Sequence, residues 1–325
     1  MRVLVTGASG FIGSHAAEQL SALGHDVVAT GRSENRLRRL AELGCRVVAA
    51  DLSQSKLGGL VAGCDAIVHS AARASPWGKR SMFWNDNVVA TQRLVEAARE
   101  TGTVHRFVLI STPSIYFRPR DQLQLTEAFT PPQRWETAYA ETKWLAETHV
   151  RAAPELGPVI LRPRAVFGPR DSAIVPRLVA VAKSGTFPLP GGGRAWADVT
   201  YIDNVVAAIV AALEGGREIE SQAFNITNGQ PIQVRDLAGR LFRALGIQTR
   251  FVSIPRAVVL ALANISERVA MLRPGQPEPR LTRYGVGLLA FSQTLSIEAA
   301  RQGLRYQPRV SIDEGIERYA RWCAQ

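Results

Sequence analysis

Cysteine is scarce in this chain. Cys45, Cys64 and Cys323 are the only three in 325 residues, and they lie far apart in sequence. That spacing excludes a disulfide framework and points to a reducing, cytoplasmic setting. Lysine is scarcer than usual for so basic a chain, occurring only at Lys56, Lys79, Lys143 and Lys183, so arginine carries nearly all of the formal net charge of +11. The five histidines are scattered without metal-ligand spacing, and no metal site is expected. Strongly apolar stretches such as Ala257 to Ala263 are far too short to cross a bilayer. Met1-Arg2 runs straight into Val3-Leu4-Val5, which leaves no signal peptide on this reading. Internal repeats and low-complexity segments are absent. The basic residues are spread along the chain without a nucleic-acid motif, so nucleic acid is not an expected partner.

What is present is ordinary globular material, 46% hydrophobic and 21% charged, enough to bury a core without staples. The first part alternates apolar strands with amphipathic helices: strands at Val3–Val5, Asp26–Thr30, Arg46–Ala50, Ala66–His69 and Arg106–Ile110, with helices at Gly13–Leu23, Glu34–Leu43 and about Asn87–Glu100. Continuous apolar strands alternating with helices predict a parallel sheet covered on both faces. Right-handed crossovers make it a Rossmann-type, doubly wound α/β fold. After about Pro163 proline, glycine and arginine become frequent. The expected division is a nucleotide-binding domain over residues 1–165, with returning elements at about 197–228. A smaller substrate-binding region then takes 166–196 and 229–325. Ser311, with Glu314 three residues on, reads as the capping box of a last helix.

Two local patterns carry the chemistry. Thr6-Gly7-Ala8-Ser9-Gly10-Phe11-Ile12-Gly13 places three glycines between a strand and a helix. Gly7 allows a tight turn, Gly10 a close approach of backbone to a pyrophosphate, and Gly13 close packing of helix on strand. The free N–H groups and positive dipole of the helix start then face the phosphates. Tyr139 and Lys143 are four apart in Tyr-Ala-Glu-Thr-Lys and project from one helix face. A tyrosine with a reference pKa near 10 needs a shift of about 3 units, worth about 4 kcal/mol, to exchange protons at neutral pH. An ammonium about 4 Å away, at an effective dielectric near 20, supplies about that much.

The spacing Gly-x-x-Gly-x-x-Gly resembles the extended branch of the short-chain dehydrogenase/reductases, the NAD-dependent epimerase/dehydratase superfamily. The resemblance continues at Asp51-Leu52, where the Asp would bind adenine. It recurs at Ser70-Ala71-Ala72, which would pass under the cofactor, at Asn87-Val88-Val89-Ala90-Thr91, and at Leu161-Arg162-Pro163-Arg164-Ala165-Val166-Phe167-Gly168-Pro169. It implies a dinucleotide site built from Gly7, Ser9, Gly10, Phe11, Ile12, Gly13, Arg32, Arg36, Asp51, Leu52, Ser70, Ala71, Ala72, Tyr139, Lys143, Pro163 and Val166. NAD-binding members carry an acid at the end of the second strand. Here Gly31 is followed by Arg32, with Arg36 nearby, and a guanidinium suits a 2′-phosphate. NADP is therefore the expected cofactor, with NAD as the alternative.

In the family pattern the catalytic hydroxyl lies four residues before an aromatic, which maps onto Thr112 ahead of Tyr116. Ser114 becomes a candidate substrate contact, and Asn87 a structural bridge. Retention of the Tyr/Lys pair argues for an enzyme rather than a sensor. Pro113 and Ser114, where a dehydratase would need acids, argue against dehydration. Ala165 stands where sugar epimerases carry an Asn, and Pro279–Val286 with Gln302–Pro308 resembles the 3β-hydroxysteroid-dehydrogenase type. The resemblance thus implies an oxidoreductase interconverting a secondary alcohol and a ketone on a lipophilic substrate, a hydroxysteroid or a β-keto acyl compound. A nucleotide-sugar epimerase or reductase is the alternative, and a homodimer is an allowed assembly. Val258, Leu262, Ile265, Val269 and Leu272 fall on one side of a helix. They are expected to pack a lid onto the substrate region; the competing reading is contact with an anionic membrane surface, since arginine outnumbers acid from Arg240 onward.

Overall fold

The computed structural model describes residues 1–325. Seven parallel strands form the central sheet: β1 Arg2–Thr6, β2 Asp26–Gly31, β3 Arg46–Ala49, β4 Ala66–His69, β5 Arg106–Ile110, β6 Pro158–Pro163 and β7 Ala223–Ile226. Their spatial order is β7-β6-β5-β4-β1-β2-β3. The order reverses beside β1, between β4 and β2, which is where the carboxyl ends of such a sheet open a crevice. The register is regular across that point: Val5 pairs with Ala29 on one side and with Val68 on the other.

Alternation along the strands explains why both faces are covered. Val3 and Val5 point to the face covered by α1 (Phe11–Ala22) and by Val205, Ala208, Ile209 and Ala212 of a later helix, Ile202–Glu214. Leu4 points to the opposite face, against Leu94 and Ala98 of the helix Ala90–Thr101. The predicted helix from about Asn87 begins differently: Trp84–Val89 is a π-turn that leads into Ala90–Thr101. α1 starts at Phe11, two residues earlier than the periodicity suggested.

A smaller region sits over the carboxyl edge. Its main sheet orders Ile232–Gln233, Trp196–Ala197, Gln293–Leu295 and Gln122–Leu125, so a segment from before residue 165 joins it. β7, from after that boundary, lies in the central sheet. At the last helix, Ile312–Cys323, Ser311 Oγ accepts from Glu314 N–H at 3.2 Å. The Glu314 carboxylate turns to Arg318, so half of the expected capping box forms.

One expectation is overturned. In the helix Arg256–Leu272 the stripe Val258, Leu262, Ile265, Val269 and Leu272 faces outward, with exposures from 44% to 87%. The inward face is Val259, Ala263, Glu267 and Ala270. It closes on Val286 and Ala290 of the neighbouring helix Arg283–Ala290, and Glu267 holds Arg283 through its backbone N–H at 2.7 Å and Nε at 2.8 Å. Small residues and one ion pair make that contact, while the larger apolar side chains stay outside. No helix is long and apolar enough to cross a membrane.

Candidate active site

The glycine loop fits a dinucleotide by its close contacts. Gly7 has φ +67°, and a Cβ there would lie 2.6 Å from the Ala71 nitrogen. A Cβ on Gly13 would meet Gly7 O at 2.4 Å and Ser70 Oγ at 2.6 Å, and Ser70 Oγ donates to Thr6 O at 2.8 Å. The loop after β1 and the Ser70–Ala71 step after β4 are thus pressed together. α1 opens on Gly10 with no side-chain cap. Its first N–H groups remain free for an anion.

At the end of β2, a Cβ on Gly31 would lie 2.4 Å from Ser9 Oγ. An acidic side chain has no room there, and Arg32 follows it as an exposed residue. Arg32 is already engaged: Nη1 lies 3.3 Å from Asp86 Oδ2, which Arg73 holds at 2.9 Å. Sequence reading missed Asp86, whose only signal was its place beside Asn87. Arg36 is exposed on α2 (Glu34–Glu42). Asp51 Oδ1 accepts from Ser53 N at 2.9 Å and Ser53 Oγ at 2.7 Å; those bonds hold its pKa below the ordinary value. Leu52 is buried in the core beneath it. Pro163 ends β6, and Val166 opens a two-residue strand paired with Thr200–Tyr201.

Tyr139 and Lys143 lie on the helix Ala138–Arg151, capped by Thr137 accepting from Ala140 N at 3.1 Å. Thr112 caps the short turn after β5: its hydroxyl accepts from Ser114 N at 3.1 Å and donates to Ser114 Oγ at 2.9 Å. The same hydroxyl lies beside the Tyr139 phenol and favours its ionised form. Thr112 is therefore both a cap and a neighbour of Tyr139. Ser111 is committed elsewhere, donating to Glu147 Oε1 at 2.5 Å. Asn87 bridges as expected, its Oδ1 accepting from Arg73 N at 2.7 Å and its Nδ2 donating to Thr142 Oγ1 at 3.0 Å. Glu141 pairs with Arg80 through two hydrogen bonds.

The electrostatics differ from the sequence argument. Burial pushes the Tyr139 phenol above its ordinary value, and Thr112 pulls it part of the way back. The Lys143 ammonium is turned to the backbone. Its Nζ donates to Ile110 O at 2.7 Å. Burial lowers the lysine to about 8, with Glu147 one turn on pulling it back up. Glu147 is fully buried with Arg162, whose Nε and Nη2 reach its carboxylate at 2.9 and 2.5 Å.

Tyr284, 145 positions after Tyr139 and absent from the sequence-based set, completes the site. Its hydroxyl lies 2.5 Å from Ser114 Oγ. Tyr139 and Tyr284 face one cavity of about 350 Å³, lined by Trp77, Phe83, Phe117, Leu260 and Met271 together with the polar Glu136, Thr137, Glu267 and Arg283. Phe117 packs edge-on against Tyr284 with centroids 5.1 Å apart.

The model of the NAD dependent epimerase/dehydratase family matches residues 3–227. The 2-alkyl-3-oxoalkanoate reductase of Stenotrophomonas maltophilia is 35% identical over 98% of this chain and 98% of its own length. The human sterol-4-alpha-carboxylate 3-dehydrogenase, decarboxylating, is 30% identical over 97% of this chain and 87% of its own. Among solved structures, a UDP-glucuronic acid 4-epimerase from Bacillus cereus superposes with a TM-score of 0.78 over 100% of this chain and 99% of that one, at 24% identity. That likeness speaks to the fold.

Proposed function

This chain belongs to the NAD-dependent epimerase/dehydratase family and is an NAD(P)-dependent dehydrogenase or reductase; within that frame we propose that it uses NADP to interconvert a ketone and a secondary alcohol on a lipophilic substrate of the β-keto acyl type. The observation that carries this reading is the cavity, in which the Tyr139 phenol, beside Thr112, meets walls of Trp77, Phe83, Phe117, Leu260 and Met271. Aromatic and aliphatic walls favour an alkyl chain over a sugar nucleotide, which needs many polar partners. The names of the two relatives point the same way: each acts on an oxygenated carbon next to a carbon that bears a carboxylate.

The residues fit the bound group through the Gly7–Gly13 loop, the uncapped start of α1, and Arg32 for a 2′-phosphate. A reduced nicotinamide held by these residues would supply hydride to the carbonyl carbon. Tyr139, kept protonated by burial, gives its proton to the carbonyl oxygen. Thr112, turning its hydroxyl from Ser114 Oγ, donates a hydrogen bond to that oxygen and fixes its direction. Lys143, held on the Ile110 carbonyl one turn from Tyr139, keeps a positive charge beside the acid. A positioned acid of this kind is worth roughly a hundred- to ten-thousand-fold in rate.

The test is turnover with NADPH of 2-alkyl-3-oxo acids, 3-oxosteroids and UDP-sugars in parallel. Reduction of the oxo acids supports the proposal. Turnover of the UDP-sugars alone overturns it in favour of a nucleotide-sugar enzyme.

A further inference from the structure

One buried cation in the site has no assigned task. Arg164 follows β6 directly and is 5% exposed. Its backbone is pinned on both sides, with Arg164 N donating to Ile226 O at 3.0 Å and Thr200 Oγ1 donating to Arg164 O at 2.6 Å. The side chain is not satisfied to match. Its Nε is buried without any hydrogen-bond partner. It makes no ion pair. The acid that acts on it, Asp198, spends its Oδ2 on Leu295 N–H at 2.7 Å, and burial pushes Asp198 up to about 6. Buried guanidinium groups ordinarily sit against a carboxylate or phosphate. The same strand shows the ordinary case two residues earlier, where Arg162 is clamped by Glu147.

Arg164 is not remote from the chemistry. It acts on the phenol of Tyr284, whose hydroxyl lies 2.5 Å from Ser114 Oγ. Ser114 Oγ lies 2.9 Å from Thr112 Oγ1, and Thr112 neighbours the Tyr139 phenol. A row of polar groups therefore lies between the proposed acid and a cation that has no ion pair. At Tyr139 and Tyr284 that row borders the cavity they share. A substrate whose ketone oxygen sits on Tyr139 and Thr112 must place its next polar group along that row.

The geometry points to Arg164 as the residue that binds a carboxylate on the carbon next to the reacting carbonyl. Ser114 and Tyr284 carry the hydroxyls that share the carboxylate, and the alkyl chain lies in the cavity. This rests on the β-keto acyl reading above and sharpens it: the substrate is the free acid, not a thioester, an ester or a simple ketone. A guanidinium presents paired donors in the plane a carboxylate needs, so the preference is one of charge and shape together.

The experiment compares a 2-alkyl-3-oxo acid with its methyl ester, and separately measures equilibrium binding of the matching 3-hydroxy acid and its ester to the NADP-loaded protein. Wild type, Arg164→Met and Arg164→Lys are used. The expected result is that wild type favours the acid in kcat/KM and in binding by about 10- to 100-fold, the span that one charge-assisted contact supplies. Arg164→Met removes the preference, lowering the acid by far more than the ester, and Arg164→Lys restores part of it. Equal loss on acid and ester in a folded Arg164→Met protein, or an unchanged acid preference, overturns the assignment. If wild type turns over neither compound, the β-keto reading fails. The binding ratio of hydroxy acid to ester then still decides Arg164: a preference lost in Arg164→Met upholds carboxylate binding there, and no preference in wild type refutes it.

Discussion

Replacing Glu147 with Gln removes one charge from the best-buried ion pair in the molecule. Arg162 and Glu147 have side-chain exposures of 1% and 0%, and two direct hydrogen bonds join them. Glu147→Gln keeps the shape but leaves the guanidinium without a counter-charge. Breaking a buried pair by removing one partner costs about 3–5 kcal/mol, a large share of the roughly 5–15 kcal/mol that holds a typical domain. The charge-neutral pair Arg162→Met with Glu147→Leu should recover much of that loss, because it leaves no unpaired guanidinium behind. Glu147 also sits one turn from Lys143 and raises its pKa against the pull of burial. Removing it lowers Lys143 further below about 8, so any activity that needs the ammonium declines at lower pH than in wild type. Urea unfolding of the three proteins and kcat/KM against pH measure both effects. A loss below about 1 kcal/mol together with an unmoved alkaline limb would refute the account of this pair.

Two further outcomes follow. Arg32→Asp should raise the Kd for NADPH about ten-fold or more and spare or improve NADH, since a charge-assisted contact becomes a repulsion beside Asp86; fluorescence titration reads it, and equal affinity of wild type for the two cofactors would show that Arg32 does not select. Stability should fall below pH 6.5: burial holds His69 and His15 neutral at folded pKa values of about 3 and about 4, so the unfolded chain takes up protons first, at about 1.4 kcal/mol per pH unit for each group. Asp198, raised to about 6, binds its proton more readily when folded and offsets one histidine between pH 6 and 4. The net slope is then about 1–1.5 kcal/mol per pH unit, and urea midpoints that do not move between pH 7 and 5 would contradict it.

The parts of the site legible in the sequence are those set by local spacing. Three glycines between a strand and a helix, and a tyrosine four residues before a lysine, fix their own geometry, and the structure brings Gly7, Gly13, Ser70 and Ala71 together. Strands with continuous apolar runs were legible for the same reason. What was not legible depends on distant pairing. Tyr284 comes from a helix far along the chain, and its Phe-to-Tyr packing gives no local signal. Arg162 and Arg164 look alike in sequence, yet one is neutralised and the other is not, because only Arg162 faces Glu147. The helix Arg256–Leu272 shows a further limit. Periodicity locates an apolar stripe but not what covers it, and here Ala263, Ala270 and the Glu267–Arg283 pair take the inner face.

The central claim is that Tyr139 is the proton donor in a ketone reduction. Its most direct test is Tyr139→Phe, with NADPH consumption followed in the presence of a 2-alkyl-3-oxo acid and NADPH affinity measured separately. The account predicts a loss of roughly a hundred-fold or more in kcat with cofactor affinity retained. A mutant that binds NADPH and reduces the acid at a near-normal rate would contradict it.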